Sequence, residues 1–255
     1  MSIEILFGFF ISIIAGVIGS MVGIGGGIVI SPFLSYFNYA PPQISSTSLM
    51  SVFSTSLTSS FIYYRNKLIS YKIGIIISIF SIPGTIFGVI ISNFISLSDF
   101  KFYFAFILIG TSIYLVLKTK LKKNINKDPA FSSIKNKSDI SYLKIILLVT
   151  FSFFAGILSS SFGIGGGIIF VPLLIILYGM KMNHAAATSQ FALVFTSFAG
   201  LALYIYYGYP NYSMGIILAI GSLIGGAIGS KLSQKINSSI LIKIFSFILI
   251  IVSMK

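Results

Sequence analysis

The chain of 255 residues has no cysteine, no tryptophan and only four acidic residues. Without cysteine, neither a disulfide nor a thiolate metal site is available. The acids Glu4, Asp99, Asp128 and Asp139 lie at the ends of apolar segments or in a polar stretch, so no carboxylate is placed inside a membrane for a proton relay or a cation site. His184, the single histidine, has no partner for a catalytic triad. We therefore expect no enzyme, no metal site and no cofactor, and cation transport is disfavoured.

Apolar residues are abundant instead. Hydrophobic residues make up 56% of the chain, charged residues 8%, and the mean hydropathy is +1.03, whereas soluble domains carry about 25% charged residues. Apolar segments of about twenty residues suffice for a helix to cross a hydrocarbon core of roughly 30 Å. The sequence therefore predicts an all-α, polytopic protein of the cell membrane. The fourteen tyrosines, including Tyr63 and Tyr204, are expected at the membrane interfaces.

The chain contains an internal repeat. The block Gly23-Ile24-Gly25-Gly26-Gly27 recurs at residues 163–167, and downstream positions keep the register at an offset of 140 and then 141. A repeat of this length indicates duplicated architecture. We expect a first repeat over 1–117, a basic linker over 118–144 and a second repeat over 145–255. Each is a four-helix unit whose first helix is broken by the glycines, with predicted helical segments at 3–22, 28–38, 43–64, 73–95, 100–117, 145–162, 168–179, 184–207, 213–232 and 240–254.

The distribution of Lys and Arg predicts an orientation. If both halves pointed the same way, the basic residues would divide 12 to 5 across the membrane. If each glycine break folds its flanking helices into a re-entrant hairpin, the halves are inverted and the division is 15 to 2. The positive-inside rule favours inverted repeats, with the linker in the cytoplasm and both termini outside. The net charge of +13 is assigned to this topology and to contact with membrane lipid, and no nucleic acid is expected as a partner.

The glycine blocks are the candidate binding site. A glycine run before a helix leaves backbone N–H groups unpaired at the helix N-terminus, where the helix dipole attracts anions. Broken helices at matching positions of two repeats indicate a transporter site near the bilayer midplane. Hydroxyls and an amide on the following helices can donate to an anion. The predicted substrate-binding residues are Gly25, Gly26, Gly27, Thr47, Ser48, Gly165, Gly166, Gly167, Thr188, Ser189 and Gln190.

A structural alternative applies to the same residues. Small residues allow close packing of membrane helices, and serine and threonine form hydrogen bonds between them. For Ser51, Ser54 and Thr58 this alternative is as good as a binding role. The two halves also differ at one position of the candidate site, because Leu49 stands where the second repeat has Gln190.

The two G-x-G-G-G blocks, each followed by a proline, a leucine and a Thr-Ser pair, resemble the TauE/SafE family of sulfite and organosulfonate exporters. The resemblance covers nearly the whole chain and implies a permease for sulfur-containing or other small organic anions. We predict a secondary transporter that exports a small anion by alternating access, with the two broken-helix ends holding the anionic group. An anion channel and a non-transporting membrane scaffold are the alternatives from other classes. The expected partners are a small anionic substrate and membrane lipid, and a homo-oligomer is left open.

Overall fold

The computed structural model describes residues 2–37, 39–100 and 142–237, together with residues 102, 103, 106, 240 and 241. Within these residues the long elements are all helices: α1 (Ser2–Val22), α2 (Gly27–Ser35), α3 (Pro41–Arg65), α4 (Tyr71–Ser92), α5 (Tyr142–Phe162), α6 (Gly167–Tyr178), α7 (Met182–Tyr206) and α8 (Tyr212–Lys235). The all-α prediction is confirmed. Most of the predicted linker and most of the segments 100–117 and 240–254 lie outside the described residues.

Five of these helices are long and apolar enough to cross a membrane, namely α1, α4, α5, α7 and α8. Helices α1, α4, α5 and α8 expose rows of large apolar side chains, such as Phe7, Phe10 and Ile14 on α1. These rows suit contact with lipid chains. The multi-pass membrane prediction is confirmed.

Helix α3 is as long as α7 but carries many hydroxyls, most of which are buried. It starts at Pro41 and Pro42, where a helix tolerates proline because the first N–H groups have no acceptor within the helix. Leu49 of α3 lies against Gly200 of α7, and the rings of Phe53 and Phe198 are in tilted contact with their centroids 5.8 Å apart. The start of α3 therefore meets the end of α7, so these two central helices run antiparallel.

Helices α1 and α2 form a hairpin. A Cβ added at Gly19 would overlap the backbone of Gly26, and one added at Gly8 would lie 3.8 Å from the ring of Phe33. The end of α2 thus returns to the depth at which α1 begins. With nine residues, α2 extends about 14 Å, half of a bilayer core.

Contacts between helices give their directions. Along α1 and α8, Gly8 lies against Met214 and Gly16 against Gly225, so the two helices run parallel. Thr47 of α3 contacts Asn211 at the start of α8, and further along, Thr55 contacts Gly226, so α3 shares their direction.

Helices α4, α5 and α7 run the other way. Gly84 of α4 lies against Phe153 of α5, and Gly88 lies against Ile157, one turn further along both helices. The start of α4 contacts Thr188 near the start of α7, and Ser92 at its end accepts a hydrogen bond from Tyr204 near the end of α7. Among the described helices, those at matching positions of the two halves therefore point in opposite directions, which is the arrangement that the inverted-repeat prediction expects.

Every Lys and Arg in the described part of the chain lies at one end of the bundle. This end, called the basic face below, is where α3 and α8 finish and where α4, α5 and α7 begin. The described acids Glu4 and Asp99 lie at the opposite end, at the start of α1 and after α4. The basic residues are Arg65, Lys67, Lys72, Lys144, Lys181, Lys231 and Lys235. Under the positive-inside rule, the basic face is predicted to be cytoplasmic.

Candidate functional site

The two glycine breaks meet in the centre of the bundle. A Cβ added at Gly27 would overlap the carbonyl oxygen of Gly163, and one added at Gly167 would overlap that of Gly23. Gly25 and Gly165 both lie against Val52 and Leu193, which are at the middle of α3 and α7. The breaks therefore share one depth, halfway between the two faces, and no side chain larger than hydrogen fits where they touch.

The helices that follow the breaks point their N-termini at this centre. Helix α2 runs from Gly27 to the face opposite the basic face, and α6 runs from Gly167 back to the basic face, where α7 begins. Neither N-terminus is capped by a side chain. Because a helix N-terminus carries roughly half a positive charge and free N–H donors, two of them brought together attract an anion. The described acids Glu4 and Asp99 lie far from the breaks, at the opposite end.

Ser48 and Ser189 tie the halves together at the breaks. Ser48 donates a hydrogen bond to the carbonyl oxygen of Gly163 over 2.7 Å, and Ser189 donates to that of Gly23 over 2.6 Å. Each serine lies on the long central helix of its own half, Ser48 on α3 and Ser189 on α7, and binds the first glycine of the other break. Ser31 of α2 adds a donor to Phe162 over 2.8 Å. Both predicted serines are therefore at the site, where their hydroxyls hold backbone carbonyls.

Thr47 and Thr188 lie away from the breaks. Thr47 accepts a hydrogen bond from the backbone N–H of Asn211 at 3.1 Å, and Thr188 accepts one from Ser70 at 3.0 Å. Asn211 and Ser70 immediately precede α8 and α4. The two threonines thus hold the starts of these outer helices against α3 and α7, near opposite ends of the bundle. These contacts favour the helix-joining alternative for both residues.

Gln190 is a feature of one half alone. Its side chain is completely buried, and Nε2 donates a hydrogen bond to the carbonyl oxygen of Gly19 over 2.8 Å. The same carbonyl accepts from the backbone N–H groups of Gly23, Ile24 and Gly25 at 2.9, 2.8 and 3.2 Å. The Oε1 atom of Gln190 is buried and has no hydrogen-bond partner among the described residues. The matching residue in the first half is Leu49, so only the first break has an amide beside it.

The two blocks have the same sequence but different backbones. Gly26 has φ +86°, in the left-handed region, whereas Gly166 has φ −65°. The cause lies one turn earlier in the preceding helices. Gly19 is so close to Gly26 that a Cβ there would overlap the amide nitrogen of Gly26. The second half has Ser159 at the matching position, whose side chain excludes the same approach by Gly166.

The glycine breaks are shielded in this structure. Residues 23–27 and 163–167 are all buried. A small apolar cavity lies beside the second break, lined by Ala155, Leu158, Gly165, Gly166 and Ile169 among others. At the first break, Gly26 instead lies against the carbonyl oxygen of Ala15. An anion therefore reaches the helix ends only after the surrounding helices move.

The sequence pointed to the glycine blocks but missed several buried residues around them. Tyr63 and Tyr204, expected at the membrane interfaces, are fully buried instead. Each donates a hydrogen bond of 2.8 Å to a backbone carbonyl, Tyr63 to Ser20 and Tyr204 to Ser160, near the end of a broken helix. Their matching positions in the repeat were the signal that could have placed them in the core.

Comparison with known proteins defines the class of this fold. A model of the sulfite exporter TauE/SafE family matches residues 8–255. The probable membrane transporter protein YunE of Bacillus subtilis is 30% identical, over 95% of this chain and 93% of its own length. A probable membrane transporter protein of Methanocaldococcus jannaschii is 31% identical, over 82% of this chain and 79% of its own. No solved structure matches.

The protein is therefore a multi-pass membrane transporter of the α-helical class. It belongs to the TauE/SafE family, as the match over nearly the whole chain shows.

Proposed function

We propose that this protein is a secondary transporter that exports a small sulfur-containing or organic anion, such as sulfite or a sulfonate, by alternating access. The observation that carries the proposal is the meeting of two uncapped helix N-termini, one from each half, at the middle of the bundle. Partial positive charge with unpaired N–H donors, in a region where the described residues place no acidic side chain, suits a small oxyanion.

The proposed ligands are the backbone groups of Gly25, Gly26, Gly27, Gly165, Gly166 and Gly167, with Ser48, Ser189 and Gln190 beside them. In the shielded state the two serine hydroxyls donate to glycine carbonyls across the breaks. If the breaks separate, these hydroxyls are released close to the helix ends and can donate to the anion. Thr47 and Thr188 would then act from a distance, by holding α8 and α4 to the moving central helices.

Export is the proposed direction because of the charge distribution. The basic face is predicted to be cytoplasmic, and its lysines and arginine raise the local concentration of anions at the entrance. The shielding of the breaks supports a carrier over a channel, because a channel needs an open path through the site in its conducting state.

Flux into vesicles that contain the purified protein tests the proposal. Sulfite, sulfoacetate, taurine and simple carboxylates are supplied outside, and vesicles without protein serve as the control. A carrier is expected to give saturable uptake that rises when the same anion is preloaded inside. Saturation without stimulation by preloaded anion would indicate a channel, and no protein-dependent flux of any anion would favour a scaffold.

A further inference from the structure

We propose that the transported anion carries a hydrogen-bond donor of its own, such as a hydroxyl, an ammonium group or an acidic proton, and that Oε1 of Gln190 accepts from it. The inference rests on the proposed function, and narrows the substrate to a class. It starts from the one buried side-chain oxygen beside the glycine breaks that has no partner in the described part of the chain.

The position of the amide is fixed by its nitrogen. Nε2 of Gln190 donates to the carbonyl oxygen of Gly19, on which the N–H groups of Gly23, Ile24 and Gly25 also converge. The oxygen is attached to the same carbon as Nε2, so it too lies at the first break. Oε1 and Nε2 of Gln190 cannot exchange places, because Oε1 would then face the carbonyl oxygen of Gly19 and both atoms are acceptors. The assignment of Oε1 as the free atom therefore follows from the contact with Gly19.

A buried acceptor without a donor is costly, since it loses its hydrogen bonds to water and gains none. Such groups are uncommon in proteins, and a bound partner with a donor is one explanation for them. The helix N-termini at the breaks offer donors, which suit the anionic group. Gln190 offers an acceptor at the same place, which an anion without a donor leaves unpaired. A site with both therefore discriminates between two anions of equal charge that differ only in a donor.

Leu49 marks the difference between the halves. It occupies the position that matches Gln190, and its side chain is fully buried against Gly200. The first half thus has no amide at the matching position, and the small cavity beside the second break is apolar. The polar end of the substrate is expected at the first break and its apolar part towards the second.

The test measures binding of two matched pairs of anions to the purified full-length protein. The pairs are 2-hydroxyethanesulfonate with ethanesulfonate, and glycolate with acetate, and the readout is thermal stabilisation as a function of anion concentration. The member with the hydroxyl is expected to reach half-saturation at about a tenfold lower concentration, the factor expected for one hydrogen bond to a buried group. Equal half-saturation within both pairs would overturn the inference while leaving anion transport intact.

Two variants show whether Gln190 is responsible. Gln190→Met keeps a side chain of similar length and removes the acceptor, so the ratio within each pair is expected to fall close to one. Gln234→Met is the matched control, because Gln234 lies near the basic face and donates to Ser230, far from the breaks. It is expected to keep the wild-type ratio. Retention of the full ratio in Gln190→Met would place the acceptor elsewhere and refute the assignment.

If Gln190→Met does not fold, the wild-type ratios decide by themselves. If none of the anions binds and none is transported, the result would instead count against both the proposed function and this inference. The two failures are distinguishable, since a transporter that ignores the hydroxyl still moves anions.

Discussion

Gly26→Ala and Gly166→Ala are expected to have unequal effects, although the two glycines occupy the same place in identical blocks. Gly26 has φ +86°, where alanine costs roughly 1–2 kcal/mol. Its new Cβ would also lie 2.9 Å from the backbone carbonyl oxygen of Ala15, which cannot move without shifting α1. Strain and overpacking add up, and overpacking alone costs about 1–3 kcal/mol.

Gly166→Ala meets a different obstacle. At φ −65° alanine is unstrained and gains about 0.4–1 kcal/mol by restricting the unfolded chain. Its Cβ would lie 2.6 Å from the ring of Phe170, which is a side chain and not backbone. The combined change Gly166→Ala with Phe170→Leu is therefore expected to recover most of the lost stability. Phe170→Leu is not expected to recover any of the stability that Gly26→Ala loses.

The expected difference between the two alanine variants is about 2 kcal/mol, or a Tm lower by roughly 4–8 °C for Gly26→Ala at 2–4 °C per kcal/mol. The chain has no tryptophan and no cysteine, so neither tryptophan fluorescence nor thiol dyes report unfolding. The fraction that stays monodisperse on size exclusion after heating in detergent is a suitable assay. Gly27→Ala and Gly167→Ala are the matched controls, since each would overlap a backbone carbonyl of the other break, and both are expected to be severe. Equal Tm values for Gly26→Ala and Gly166→Ala would refute the conformational difference between the breaks.

Three further predictions follow from the same geometry. Cysteines introduced at Asn66 and Gln234, both at the basic face, are expected to react with an impermeant reagent from the same side of the membrane, and labelling from opposite sides would exclude inverted halves. Ser48→Ala and Ser189→Ala each remove a hydroxyl that donates to a glycine carbonyl in this state and is proposed to donate to the anion once the breaks separate. Flux assays are therefore expected to show raised half-saturating anion concentrations, at a cost of about 1 kcal/mol for each lost hydrogen bond. Unchanged transport with lower thermal stability would assign both serines to packing alone. Gly19→Ser is expected to abolish folded protein, because its Cβ would overlap the amide of Gly26; normal expression would contradict this, although the second half carries serine at the matching position.

The sequence was sufficient for the helices and the breaks because both depend on local patterns. Apolar runs of membrane-spanning length and a glycine block predicted α3 at 43–64 and α7 at 184–207, and the structure has Pro41–Arg65 and Met182–Tyr206. Proline at a helix start, and the positive φ that Gly23 shares with Gly163 and Gly25 with Gly165, are properties of a few adjacent residues. Such features are visible without knowing what packs against them.

The side-chain partners could not be predicted in the same way, because they depend on depth and on the other half. Thr47 and Ser48 are adjacent in sequence, yet Thr47 contacts the start of α8 while Ser48 reaches Gly163 at the break. Helical rotation directs neighbouring residues to different elements. The partners of Ser48 and of Tyr63 are distant in the sequence, and only the packed bundle brings them together.

The difference between the breaks constrains how an inverted-repeat carrier of this sequence could alternate. In the simplest scheme the halves exchange conformations, so that the second break adopts the backbone of the first. Gly166 would then take the φ of Gly26 and approach the helix before its own break. A Cβ at Gly19 would overlap the amide nitrogen of Gly26, and the Cβ of Ser159 at the matching position would overlap the amide nitrogen of Gly166 in the same way. Leu49, which matches Gln190, likewise has no amide that could donate to the carbonyl matching that of Gly19 in the second half. The inward-open and outward-open states are therefore expected to be structurally unequal, with the first break held by Gln190 and the second free to move into the apolar cavity beside Ala155.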